Sequence, residues 1–177
     1  MKMNDMLVIS VDDHITEPPD MFDKHLAPAD LATAPKFCTD ENGKSYWSYQ
    51  GMYMPSVGLN AVVGRPLEEY GMEPNSLEEM RRGVYNVDAR IDDMNANGVA
   101  ASLNFGTCVG FDGGRFHKAP DKDLSLKHLR AYNDWHLDEW VGSYPDRFIP
   151  CAVGPLWDAE LMAVELRRVS EKGCHAM

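Results

Sequence analysis

Beyond Asn86 the chain alternates between helical and extended apolar patterns, and this order constrains the fold more than any other feature. Val87, Ile91 and Met94 fall at i, i+4 and i+7, a helical stripe that Asn97-Gly98 ends. Gly98 suits the left-handed position after a helix. Residues 99–105 then read as a strand, and 106–121 as a loop holding Gly110, Gly113 and Gly114. Asp123 or Ser125 is expected to cap a second helix reaching Trp140, with Leu126, Leu129, Asn133, Leu137 and Trp140 along one side. Tyr144-Pro145-Asp146 breaks it. Residues 148–153 read as a further strand, with Pro150 expected to delay its pairing because proline lacks a ladder donor. Asp158 caps a third helix carrying Met162, Leu166 and Val169, Gly173 ends it, and 174–177 open another strand.

The chain starts in the same way. The apolar run 7–11 leads directly into Asp12-Asp13-His14. Two-residue alternation places Val8, Ser10, Asp12 and His14 on one face, and Leu7, Ile9 and Val11 on the other. Between this strand and Asn86 lies an irregular insertion, roughly 18–84, that prolines keep free of long helices. Within it, 37–54 reads as a hairpin turning at Asn42-Gly43. Its Trp47, Tyr49 and Tyr53 are expected to form a satellite core or a subunit contact.

Strand–helix alternation means parallel strands joined by crossover helices, either in an open sheet or in a closed barrel. No glycine-rich phosphate loop follows the first strand, which disfavours nucleotide-binding open sheets. The 177 residues make one domain. A complete eightfold barrel typically takes about 250 residues, so this reading is of an incomplete barrel domain over 1–177.

Charge narrows the partners. Seventeen basic residues against twenty-eight acidic ones leave a net charge of −11, which repels nucleic acid and anionic lipid. No stretch approaches the ~20 apolar residues of a membrane span, and no secretory leader is apparent at 1–5. The four cysteines, Cys38, Cys108, Cys151 and Cys174, show no CxxC pair and read as free thiols in a reducing cytoplasm.

In a parallel barrel, chemistry sits at the C-terminal ends of the strands. Asp12 and His14 occupy that end of the first strand. Two residues apart, they point the same way and can converge on one divalent ion. Glu17 follows closely and could line the pocket. Thr107 and Cys108, just past the second strand, are candidate substrate contacts, although Cys108 has no base partner for nucleophilic work. Among the other histidines, His117 in the glycine-rich loop is the best substrate contact. His25, His128 and His136 read as packed or solvated. His175 lies at the start of a strand, about 17–20 Å from the barrel mouth. Asn133-Asp134 reads as a structural pair fixing its helix to a neighbouring loop.

Three segments together resemble the amidohydrolase superfamily, in its branch related to aminocarboxymuconate-semialdehyde decarboxylase. They are Val11-Asp12-Asp13-His14-Ile15-Thr16-Glu17-Pro18-Pro19-Asp20-Met21-Phe22, Arg90-Ile91-Asp92-Asp93-Met94-Asn95-Ala96-Asn97-Gly98-Val99, and Ala131-Tyr132-Asn133-Asp134-Trp135 followed by Tyr144-Pro145-Asp146-Arg147-Phe148. The resemblance covers nearly the whole chain and matches only loosely in the insertion. It implies the N-terminal part of a (β/α)8 TIM-type barrel with one divalent metal. Many members carry His-x-His on the first strand; Asp12-x-His14 resembles the carboxylate-x-His variants, and the harder carboxylate ligand raises manganese or magnesium as alternatives to zinc, which is expected first. The remaining ligands are expected beyond the third strand. The implied function is a metal-dependent hydrolase or non-oxidative decarboxylase acting on a small carbonyl or carboxylate substrate, as a homo-oligomer, with the 177-residue chain inactive by itself. The alternative is a non-catalytic α/β binding or assembly module.

Overall fold

The computed structural model describes residues 6–55, 57–58, 61–71, 74–110 and 112–177; the stretch 1–5, read above for a leader, lies outside them. In chain order the elements are strand β1 (Val8–Ile15), a single helical turn α1 (Pro28–Leu31), and strands β2 (Lys36–Thr39), β3 (Ser45–Tyr49) and β4 (Met52–Met54). Helix α2 (Val87–Ala96), strand β5 (Val99–Gly106), the short helix α3 (Gly114–Lys118) and helix α4 (Lys122–Trp135) follow. Strand β6 (Phe148–Ile149) and helix α5 (Ala159–Glu171) complete the described set.

Two sheets result. β1, β5 and β6 form a parallel sheet in the order β1-β5-β6, and β2, β3 and β4 an antiparallel meander. The expected hairpin thus gains a third strand. Its first turn is built by the Asp40 carboxylate, which accepts the N–H groups of Asn42 and Lys44, with Gly43 at φ 80°.

Local signals place the helix ends. The Asn86 side chain accepts the Ala89 N–H, and Asp158 accepts those of Glu160 and Leu161. Gly98 leaves α2 at φ 67°, where a Cβ would be strained. The cap of α4 is Asp121, which accepts the Leu124 N–H, and not Asp123 or Ser125; Ser125 instead donates its hydroxyl back to the Asp121 carbonyl. From His136 to Val141 the helix widens into π geometry while Leu137, Trp140 and Val141 remain buried. The loop expected at 106–121 contains α3. Pro150 does not delay pairing: Phe148 and Ile149 before it pair with Ser102 and Leu103, and after it Cys151 bridges Ala176 in parallel. Proline forbids only its own donor, so the ladder runs up to it and resumes beyond it.

One core packs the helices and the meander against the parallel sheet. Trp47 is fully buried and Tyr49 nearly so, both in this main core and not in a satellite one, while Tyr53 remains exposed. The helix-facing side of β5 carries polar groups that are all paired: Asn104 donates to the Ser102 hydroxyl and accepts from the Trp140 indole N–H, 2.9 Å each. Asn133 fixes α4 to the segment after β6 through both its amide atoms, donating to the Val153 carbonyl and accepting the Val153 N–H at 3.0 Å each. Beside it the buried Glu165 carboxylate binds Arg130 and Arg168. Among the described residues β1 pairs only with β5, and Leu7, Val8, Ile9 and Val11 are exposed along it. No described helix is long and apolar enough to cross a membrane.

Candidate metal and strand-end site

β1 runs on through Asp12 and His14 to Ile15, further than the apolar run alone suggests. Its alternation is not regular. Ser10 pairs with Ser102 but Asp13 with Asn104, so one extra residue is accommodated between them. Such a bulge re-aims side chains. Ser10 and Asp13 consequently meet on one side, the Ser10 hydroxyl donating to Asp13 at 2.8 Å, and the expected face of Val8, Ser10, Asp12 and His14 is broken there. Asp12 and His14 stay together: Asp12 Oδ1 lies 3.5 Å from His14 Nε2.

Both groups are open to solvent, with side-chain exposures of 79% for Asp12 and 47% for His14. Two donors each about 2.1 Å from one tetrahedral ion stand about 3.4 Å apart, so this pair fits a divalent cation by distance as well as by donor type. They are two donors only; no group of three or more metal-binding side chains exists among the described residues. The His14 ring lies 6.0 Å from that of Phe105, and its backbone carbonyl accepts a 2.6 Å bond from the Arg90 guanidinium.

The remaining candidates divide into two places. Glu17, Thr107 and Cys108 form a buried clamp between the ends of β1 and β5. Glu17 Oε2 accepts the Cys108 N–H at 2.8 Å and the Thr107 N–H at 3.2 Å, and the Thr107 hydroxyl donates to the Ile15 carbonyl at 2.8 Å. Burial pushes the Glu17 carboxyl up to about 7, against the pull of those amides and of Arg115. Glu17 Oε1 is buried without a hydrogen-bond partner among the described residues. Burial also holds the Cys108 thiol well above its ordinary range, which removes nucleophilic character. Thr107 and His14 line one small cavity of about 170 Å³ together with Asp13 and Arg90. His117 is exposed on α3, its ring 6.4 Å from that of Trp157, apart from both groups.

The other histidines are used in packing or lie at the surface. His128 meets the Tyr49 hydroxyl at 2.9 Å, and burial lowers its basicity. Burial pushes His136 down to about 4, with Nδ1 against the Cys151 carbonyl. His25 pairs with Glu139, and His175 is exposed. A larger cleft of about 400 Å³ opens beside Phe105, lined also by Leu103, Gly106, Tyr132, Val153 and Met177. Sequence reasoning missed Arg90 and Tyr132 here. Both sit on helices, within segments that the sequence reading used only for the family resemblance.

Comparison with solved structures follows the same outline. An amidohydrolase from Mycobacterium avium subsp. paratuberculosis K-10 superposes with a TM-score of 0.68 at 20% identity, over 95% of this chain and 47% of its own. The chain has the fold of part of an amidohydrolase. Two structures of 2,6-dihydroxybenzoate decarboxylase share that fold more distantly. One holds 2,6-dihydroxybenzoate and gives a TM-score of 0.53 at 18% identity; the other, from Rhizobium, gives 0.51 at 17%. Each covers 97% of this chain and 38% of its own, so the chain spans less than half the length of these amidohydrolase-fold structures. No family model matches the sequence, and no curated protein does.

Proposed function

We propose that this chain is the N-terminal part of a (β/α)8 barrel in a metal-dependent hydrolase or non-oxidative decarboxylase acting on a small carbonyl or carboxylate compound. The observation that carries the reading is the 3.5 Å approach of Asp12 and His14 at the C-terminal end of β1. They would hold one divalent ion, zinc first and manganese or magnesium as alternatives. Bound there, such an ion supplies Lewis acidity, to polarise a carbonyl and acidify water or to orient a carboxylate.

The chain's own groups do the rest. Asp12 contributes charge and His14 a neutral nitrogen from the same strand tip. Phe105, its ring 6.0 Å from that of His14, lines the apolar cleft, which would seat an apolar substrate body. Thr107, in the same small cavity as His14, and His117 on α3 are the substrate contacts. Glu17 and Cys108, both covered, act from beneath by holding the strand ends together. We further infer that the 177-residue chain has no turnover alone, because two donors hold a metal weakly and the apolar flank of β1 lacks a partner among the described residues.

The test is metal content and activity of the protein embedded in a complete barrel, with Asp12→Ala and His14→Ala each expected to abolish both. Full activity of either variant without metal would sink the proposal. The exposed flank of Leu7, Val8, Ile9 and Val11 favours one second reading, a non-catalytic assembly module, which predicts stable complexes and no metal dependence.

A further inference from the structure

We propose that Arg90 is a positioning residue for the metal pair, fixing the backbone of His14 so that its imidazole and the Asp12 carboxylate face one ion; this rests on the metal reading above. The need for such a residue arises from the strand itself. β1 is an edge strand among the described residues, and its ladder with β5 is interrupted between Ser10 and Asp13. Asp12 therefore sits in the bulge, where sheet pairing does not hold it. Pairing resumes at Asp13 with Asn104 and at His14 with Phe105. Those two residues are held by further bonds, one within β1 and one from α2. The Ser10 hydroxyl ties Asp13 across the bulge at 2.8 Å, and Arg90 on α2 donates to the His14 carbonyl at 2.6 Å.

Arg90 is unusual for a helix-surface arginine. It is half-buried, and burial lowers its basicity while the charges of Asp13 and Asp93 oppose this. Its Nε is buried without a partner among the described residues. A desolvated guanidinium is costly unless it is hydrogen-bonded and faces opposite charge, which the His14 carbonyl, Asp13 and Asp93 supply to Arg90. Here it lines both cavities that flank the tip of β1, one of about 440 Å³ with Ser10 and Asp13 and one of about 170 Å³ with His14 and Thr107. Arg81 does not compete for the His14 carbonyl, because Asp93 takes it in a two-pronged pair. Outer partners of metal ligands typically change affinity by about 10–100-fold when lost.

The experiment follows the histidine ring resonances of the purified 177-residue protein during titration with Mn²⁺, a paramagnetic probe that needs no catalysis. In the wild type the His14 signal broadens before those of the other five histidines. Arg90→Met raises the Mn²⁺ concentration required by about tenfold, and Arg90→Lys, which keeps a donor, recovers part of the loss. Thermal melts confirm that each variant is folded; if Arg90→Met does not fold, Arg90→Lys carries the test with an expected loss of a few-fold. Wild-type broadening at His14 that the folded variants leave unchanged overturns the role of Arg90 alone. Absence of selective broadening in the wild type overturns the metal reading and this inference with it.

Discussion

Among the acidic groups at the ends of β1 and β5, Asp12 and Glu17 stand in opposite circumstances. Asp12 stands in water beside His14 with 79% of its side chain exposed, whereas Glu17, three residues past His14, has none. Water stabilises the Asp12 charge at no structural cost, so its geometry is free to serve a ligand. Glu17 gives up hydration, receives two backbone N–H groups in return, and still retains a proton up to about pH 7. The first arrangement is what a binding group needs and the second is what a joint needs. Nearness to a strand end therefore does not distinguish site from scaffold; desolvation does.

Removing the joint gives the largest expected effect. Glu17→Ala leaves the Thr107 and Cys108 amides without their acceptor and opens a cavity, at about 1–3 kcal/mol for each unsatisfied buried group. A loss of about 4 kcal/mol is expected at pH 5, measured by urea unfolding. A loss below 1 kcal/mol would show that the clamp carries no load and that the contrast with Asp12 is empty.

Next in size is a pH effect whose sign is unusual for a carboxylate. The folded-state value of Glu17 is raised, so the native state binds the proton more tightly than the unfolded chain. Its contribution is fully present below about pH 4.5 and is lost as pH rises through about 7. The shift is worth roughly 3 kcal/mol. His136 acts in the opposite direction: its value is depressed, so its contribution is present above 6.5 and lost as pH falls toward about 4. The two partly cancel in the total. The difference between wild type and Glu17→Gln isolates Glu17, because His136 is common to both. That difference should move toward the Gln variant by about 3 kcal/mol between pH 4.5 and 8, and a flat difference would mean the carboxyl is ionised throughout.

A smaller effect tests the space around Glu17. A Cβ on Gly106 would lie 2.3 Å from Glu17 Oε1 and 2.4 Å from the Tyr132 hydroxyl. Gly106→Ala should cost about 1–3 kcal/mol by overpacking, and Glu17→Ala should relieve about half of it in a double-mutant cycle, the Tyr132 hydroxyl keeping the rest. Additive losses would place the strain elsewhere than on Glu17.

What was readable in the sequence followed how local each cause is. Asp158 caps its helix with its own side chain, so composition and spacing sufficed. Asp121 was missed because Asp121, Asp123 and Ser125 all have capping chemistry and only the three-dimensional start of α4 chooses among them. Asp12 and His14 were legible because two-residue spacing on one strand is enough to bring them together. The bulge between Ser10 and Asp13 was not, since it arises from register against β5, more than ninety residues away. Glu17 was legible as a residue near the site but not as a buried one, because its partners are amides of Thr107 and Cys108. Trp47 and Tyr49 could be read as strand formers, but the main core reaches them only through contacts such as Tyr49 with His128.

The smallest stability effect is the most discriminating for function. If Asp12 and His14 are a binding pair, the fold has little use for them without a ligand. Asp12→Ala and His14→Ala should each change unfolding free energy by no more than about 0.5 kcal/mol, the range for exposed positions away from structural features. Their own contact is an exposed ion pair at most, worth little under solvent screening. Mn²⁺ or Zn²⁺ should then raise the wild-type melting temperature and leave both variants unmoved, since a ligand stabilises only the state that binds it. A loss of several kcal/mol on mutation, with no metal-dependent shift in the wild type, would reassign the pair to scaffold and erase its difference from Glu17.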